Sequence, residues 1–259
     1  MNVALTSIIT AFQNYPIWIR LARQDIRSRY RGSLLGPLWL VLNLGLLVGA
    51  LSIIYSTVFG LPTEVYVPYV ATGLLAWWFI SGVITDSCTA FTSNSQLIRN
   101  LKLPLGVYIM RVIARHLFLM AHNFLVYCSV AVAFGLTPEL NTLFMIPGLV
   151  LLIGMLFSTG MILAIVCTRY RDVPHIVASV VQIAIFITPI LFSKEMLQRR
   201  MIFAETNPFF HMVEAIRAPL LFNSPPMNTW IFLASANLIL GSAALLLIRH
   251  NGHKIAYLV

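Results

Sequence analysis

From Leu34 to Phe59 the chain carries no charged side chain, and that run decides what kind of body it can form. As a helix rising ~1.5 Å per residue it would extend roughly 39 Å, more than the ~30 Å hydrocarbon core of a bilayer requires. Comparable apolar runs cover about 67–91, 107–134, 143–168, 173–192 and 229–248. The expected architecture is therefore an all-α polytopic membrane protein, one transmembrane domain over residues 1–259 with six transmembrane helices. Composition agrees: 59% of residues are hydrophobic and 10% charged, with a mean hydropathy of +0.87, far too apolar for a soluble domain.

Charge sets the orientation. Arg20, Arg23, Arg27, Arg29, Arg31, Arg99, Lys102, Arg111, Arg115, Arg169, Arg171, Arg249 and Lys254 fall on the side of the N-terminus, against Lys194, Arg199, Arg200 and Arg217 opposite. The positive-inside rule then puts both termini in the cytosol. A net charge of +9 also invites a nucleic-acid reading. Its cations are scattered over short loops rather than gathered in a groove or tail, so no nucleic acid is expected.

Ahead of the first span, residues 15–31 read as an amphipathic interface helix. Trp18, Leu21, Ala22, Ile26 and Tyr30 recur on one side, with Arg20, Arg23, Arg27 and Arg31 mostly on the other, as in helices that lie in the headgroup layer. Two roles stand for these arginines. They set topology, or their guanidinium forks hold phosphate in a lipid headgroup.

The loops divide by character. Inner loop one (92–106) holds Arg99 and Lys102, and inner loop two shrinks to the turn containing Arg169, Arg171 and Asp172, too short for anything but a contact. The outer segment 193–228 is too apolar for a plain loop and too short to cross. Its halves, about Lys194–Phe203 and Phe209–Phe222, flank Asn207-Pro208 and read as short re-entrant helices whose backbone needs protein cover.

Enzymatic signatures are missing. No G-x-x-x-x-G-K-[ST] loop is present, so an ATP-driven role needs a partner. No protease, lipase or paired-cysteine pattern appears either. His250-x-x-His253 offers two metal ligands without a third. Asp86, the one acid well inside a span, reads as an ion-pair partner of Arg111 or Arg115, with a proton relay as the rival. Trp77 and Trp78 sit mid-span, either packing or lining a lumen where sugar faces stack. Gly45 and Gly49 form a Gly-x-x-x-Gly suited to close helix contact.

Three patches together resemble one family, the membrane subunits of type-2 ABC transporters that export O-antigen, capsule and teichoic-acid chains. They are the stretch Arg23-Gln24-Asp25-Ile26-Arg27-Ser28-Arg29-Tyr30-Arg31-Gly32-Ser33-Leu34-Leu35-Gly36-Pro37-Leu38-Trp39, the turn Arg171-Asp172-Val173-Pro174, and the outer segment Asn207 to Arg217. The resemblance implies a type-2 ABC exporter fold in a bacterial inner membrane. It also implies a homodimer paired with two copies of an ATP-binding ABC subunit. The chain itself would be no enzyme and bind no cofactor, with ATP and Mg held by the partner. The cargo would be an undecaprenyl-pyrophosphate-linked or other lipid-linked glycan, its head guided by Arg20, Arg23, Arg27 and Arg31. The channel would be lined from the first and fifth spans, with Trp39, Asn43, Phe186, Trp77 and Trp78 as candidates. Arg99, Lys102, Arg169, Arg171 and Asp172 would meet the ATPase, and Asn207, Pro208, Glu214 and Arg217 would form an outer gate. Rival readings are export of teichoic acid or a small molecule, and an intramembrane glycan-lipid enzyme, for which the scattered histidines and isolated Asp86 supply no constellation.

Overall fold

The computed structural model describes residues 9–60, 62–101, 103–137, 139–192, 205–252 and 255–258. Lys102, His253 and the first outer helix expected at about 194–203 lie outside the described residues. Helices account for all regular structure among those described. In chain order they are α1 (Tyr15–Arg29), α2 (Leu38–Phe59), α3 (Thr63–Ser87), α4 (Ser95–Asn100), α5 (Gly106–Ala133), α6 (Met145–Arg169), α7 (Val173–Ile187), α8 (Pro208–Leu221), α9 (Met227–Asn251) and α10 (Ile255–Leu258).

Local chemistry explains most of the ends. Pro16 sits in the first turn of α1, where its missing N–H costs nothing. Beyond Arg29 the chain turns through Gly32 at φ 80° and Gly36 at φ 53°, a left-handed backbone that side chains resist. The first span therefore begins at Leu38 rather than at Leu34. It stops at Gly60, which takes the left-handed C-cap at φ 62°.

Among the described residues five helices are long and apolar enough to cross a bilayer: α2, α3, α5, α6 with the turn before it, and α9. The fifth apolar run forms a shorter helix than the run's length suggests. α7 has 15 residues, roughly 22 Å of rise, and stops at Ile187 because Thr188 precedes a proline and adopts an extended backbone.

Helix α3 is the axis of the bundle. It packs on α2, α5, α6, α7 and α8, and Val70, Leu74, Ile80 and Val83 are fully buried. Helix α9 leans on α6 and α8. Close approach depends on small residues: a methyl group at Gly148 of α6 would lie 2.5 Å from the Ala215 carbonyl oxygen of α8. By contrast nothing stands within 4 Å of a methyl built at Gly45 or Gly49, so that pair meets no helix within the protomer. Helix α8, expected as a re-entrant helix under protein cover, is largely core, with Val213, Ala215 and Ile216 buried beside α3 and α6.

Candidate functional site

Helix α1 lies against α5 with its apolar face inward, Ala22 fully buried, and with Arg20, Arg23, Arg27 and Arg31 exposed. Arg20, Arg23 and Arg27 line a groove of about 890 Å³ whose other wall is Gly36, Pro37, Phe118 and His122. The Arg23 guanidinium lies 5.7 Å from the centre of the Phe118 ring. His122 Nδ1 sits 2.7 Å from the Phe118 carbonyl oxygen, which fixes its ring. Arg31 is outside this groove. The groove thus presents three guanidinium groups, an aromatic face and an imidazole beside the start of the first span, a donor set suited to a phosphate-bearing head.

What fixes α1 in place is a residue that the sequence reading passed over. Asp25 accepts two bonds from Arg111, from Nε at 2.9 Å and Nη2 at 2.5 Å, and one from Arg115 Nη1 at 3.2 Å. Arg115 also donates from Nη2 to Asp86 at 2.7 Å, and His116 Nε2 stands 2.7 Å from the same carboxylate oxygen. Asp86 is therefore an ion-pair partner, as expected, and of Arg115 rather than Arg111. A bare hydrogen at Gly82 leaves the room that His116 occupies, since a methyl there would overlap its ring. Arg111 Nη1 reaches Asn94 Oδ1 at 2.5 Å, so the cluster joins α1, α3, α5 and the short 3-10 turn Thr92–Asn94 ahead of α4.

Of the expected partner-facing residues, the four that are described, Arg99, Arg169, Arg171 and Asp172, lie exposed near one end of the bundle. Arg99 occupies the last turn of α4 and Arg169 the last turn of α6, while Arg171 and Asp172 form the exposed turn into α7. Helix α10 packs on both α4 and α6 and holds these two elements at the same end.

At the other end the broken helix is stapled. The carbonyl of Pro189 accepts from Arg217 Nη1 at 2.7 Å and from the Tyr69 hydroxyl at 3.1 Å. The hydroxyl of Tyr66 donates to the Leu191 carbonyl at 2.6 Å. Asn207 caps α8 through its Oδ1, accepting from the Phe209 amide at 2.9 Å, and donates to the Thr188 hydroxyl at 3.0 Å. Pro208 opens that helix. Arg217, 1% exposed, is held by Glu214 at 2.7 Å, and its guanidinium carbon lies 4.2 Å from the centre of the Tyr69 ring. Glu214 and Arg217, spaced i,i+3, thus form a buried clamp. Tyr66 and Tyr69, which position alone would assign to an interfacial belt, are buried and serve this clamp instead.

The channel candidates separate. Trp39 and Asn43 are exposed on α2 and Phe186 on α7. Trp77, 5% exposed, packs edge-on against Phe209 at 5.5 Å. It shares with half-buried Trp78 an open cleft of about 320 Å³ between helices, with Arg29 at its edge, so it stands apart from the exposed faces that carry Trp39, Asn43 and Phe186. Sequence reading missed a polar stripe on α7: His175, Ser179 and Gln182 are exposed at the same helical spacing as Phe186. A periodicity check of that run would have found it.

An apolar helical bundle with a guanidinium groove and polar residues on exposed span faces is the build of a membrane permease. The sequence profile of the ABC-2 type transporter family matches residues 17–221, and the chain belongs to that family. It is 26% identical over 211 residues to the O-antigen export system permease protein RfbA of Klebsiella pneumoniae, covering 77% of this chain and 78% of that protein. To the protein of the same name from Myxococcus xanthus it is 24% identical over 212 residues, covering 80% and 81% respectively.

Proposed function

We propose that this chain is the membrane subunit of an ATP-driven exporter that moves a lipid-linked polysaccharide of the O-antigen or capsule type across a bacterial inner membrane. The observation that carries the reading is the α1 groove, where Arg20, Arg23 and Arg27 converge beside the first span. Guanidinium forks in that position suit a diphosphate head while the glycan behind it enters a channel. The relatives are named for O-antigen export, which fits such a cargo.

In this reading two copies pair and two ATP-hydrolysing subunits, which hold the ATP and Mg, press on α4 and the 169–172 turn. Helix α7 with residues 188–192 completes a sixth crossing, so both termini are cytosolic, as the cation bias favours. The exposed polar positions Asn43 and Gln182 support a channel between copies. A bare amide facing lipid tails is unfavourable, whereas one facing water or a second protomer is not.

The test replaces Arg23 and Arg27 together by lysine in a cell dependent on this permease. Enough cytosolic cations remain to preserve topology, while the two-pronged geometry is lost. Insertion and orientation should be normal and surface glycan should fall about tenfold or more, as expected from losing charge-assisted bonds worth about 1.5 kcal/mol or more. Undiminished glycan would leave the helix as an anchor.

A further inference from the structure

The arginine groove and the short α4 helix occupy different elements, yet a single guanidinium joins them. Arg111 spends Nε and Nη2 on Asp25 and Nη1 on Asn94. Asp25 is the one acid of α1. Arg23 and Arg27 flank it on the same rigid helix, so a shift at Asp25 moves both. At the far end, Asn94 is buried, and its amide is oriented by donating to the Ala90 carbonyl at 2.8 Å. It ends the 3-10 turn and immediately precedes Ser95, the first residue of α4. A guanidinium is planar and its donors are fixed relative to one another, so it transmits a displacement that a flexible ammonium would absorb.

The cluster also contains a second arrangement. Arg115 divides itself between Asp25 at 3.2 Å and Asp86 at 2.7 Å, and Asp86 has His116 in reserve. If the turn bearing Asn94 draws Arg111 away, Arg115 can take Asp25 in its place while His116 keeps Asp86. No carboxylate is then left bare. Exchange between two satisfied pairings is what a switch requires, as opposed to a spring that deforms continuously.

We propose that Asn94, Arg111 and Asp25 form a mechanical link through which movement of α4 resets the arginine groove, making the groove's hold on a diphosphate lipid depend on the nucleotide state of the ATPase. This rests on the exporter reading above. Asp25 and Asn94 are positioning residues here, since neither lines the groove.

The experiment uses the permease in complex with its ATPase subunit in lipid nanodiscs, with undecaprenyl diphosphate as the probe. Binding is measured without nucleotide and with MgATP trapped by vanadate. Wild type should show a difference in affinity between the two states of about fivefold or more, the low end of allosteric coupling. Asn94→Ala should keep the nucleotide-free affinity and lose the difference. Asp25→Asn, which cuts the link at its other end, should lose the difference as well. Co-purification of the ATPase reports that each variant is assembled. If Asp25 merely anchors α1, Asn94→Ala will retain the wild-type difference, and the proposal is overturned. It is overturned too if wild type binds equally in both states. Absence of binding by wild type in either state has a different meaning: the groove does not receive the diphosphate head, and the exporter reading itself loses its support.

Discussion

Arg217 is a buried cation, and each of its three side-chain nitrogens donates a hydrogen bond. It is almost wholly enclosed, bonded to Glu214 and the Pro189 carbonyl and stacked near Tyr69. Removing one partner from a buried pair strands the other charge, at a cost of about 3–5 kcal/mol. Arg217→Met should accordingly lower the melting temperature of the purified permease sharply, since it also deprives the Pro189 carbonyl of its shorter bond. Arg217→Lys should fall between the two, because an ammonium keeps the charge but cannot serve Glu214 and Pro189 with the same fixed fork. Differential scanning fluorimetry in detergent checks this order, and a Met variant as stable as wild type would show that the clamp contributes nothing. Asp25 makes the complementary point about reading residues. Within a run of arginines it looks like charge balance, and only the placement of Arg111, whose Cα lies far along the chain, reveals what it holds.

At the level of elements, the turn between α6 and α7 is as exposed as its sequence suggests, and helix α8 is packed more deeply than a re-entrant helix requires. Asp172 precedes α7 and its side chain caps nothing, so it is exposed without a structural duty. Reversing it to lysine should change stability by no more than about 1 kcal/mol, the scale of a charge at a helix N-terminus, while uncoupling ATP hydrolysis from export. Normal export by a well-folded Asp172→Lys variant would remove the turn from the coupling contacts. Helix α8 reads in the sequence as a short re-entrant helix that needs protein cover. In the bundle it fills space against α3, α6 and α9, so deleting it would remove core. The long apolar runs were legible because length alone separates a span from a loop. The end of α7 was not, since the run stays apolar through Phe192 and only Thr188-Pro189 marks the break. The tyrosines that satisfy the freed carbonyls lie some 120 residues earlier, beyond the reach of any local pattern.

On the scale of the whole molecule, the outer faces of α2 and α7 carry polar residues where a lone bundle would show lipid only hydrocarbon. If two copies enclose a channel there, cysteines placed at Asn43 and Gln182 should react with a membrane-impermeant thiol reagent in the assembled transporter. A cysteine at Ile239, 70% exposed on α9, should stay unreactive in lipid. Equal silence at all three positions would count against the channel. The stapled break after α7 has a consequence for how the chain is made. An apolar helix of 15 residues is a poor candidate to settle in the bilayer by itself, and the carbonyls that follow it are satisfied by Tyr66 and Tyr69 from upstream and by Arg217, which the ribosome has not yet delivered when α7 emerges. During synthesis, the break after α7 is therefore held first by the tyrosines of the already inserted α3, and its last bond closes only when Arg217 of α8 arrives.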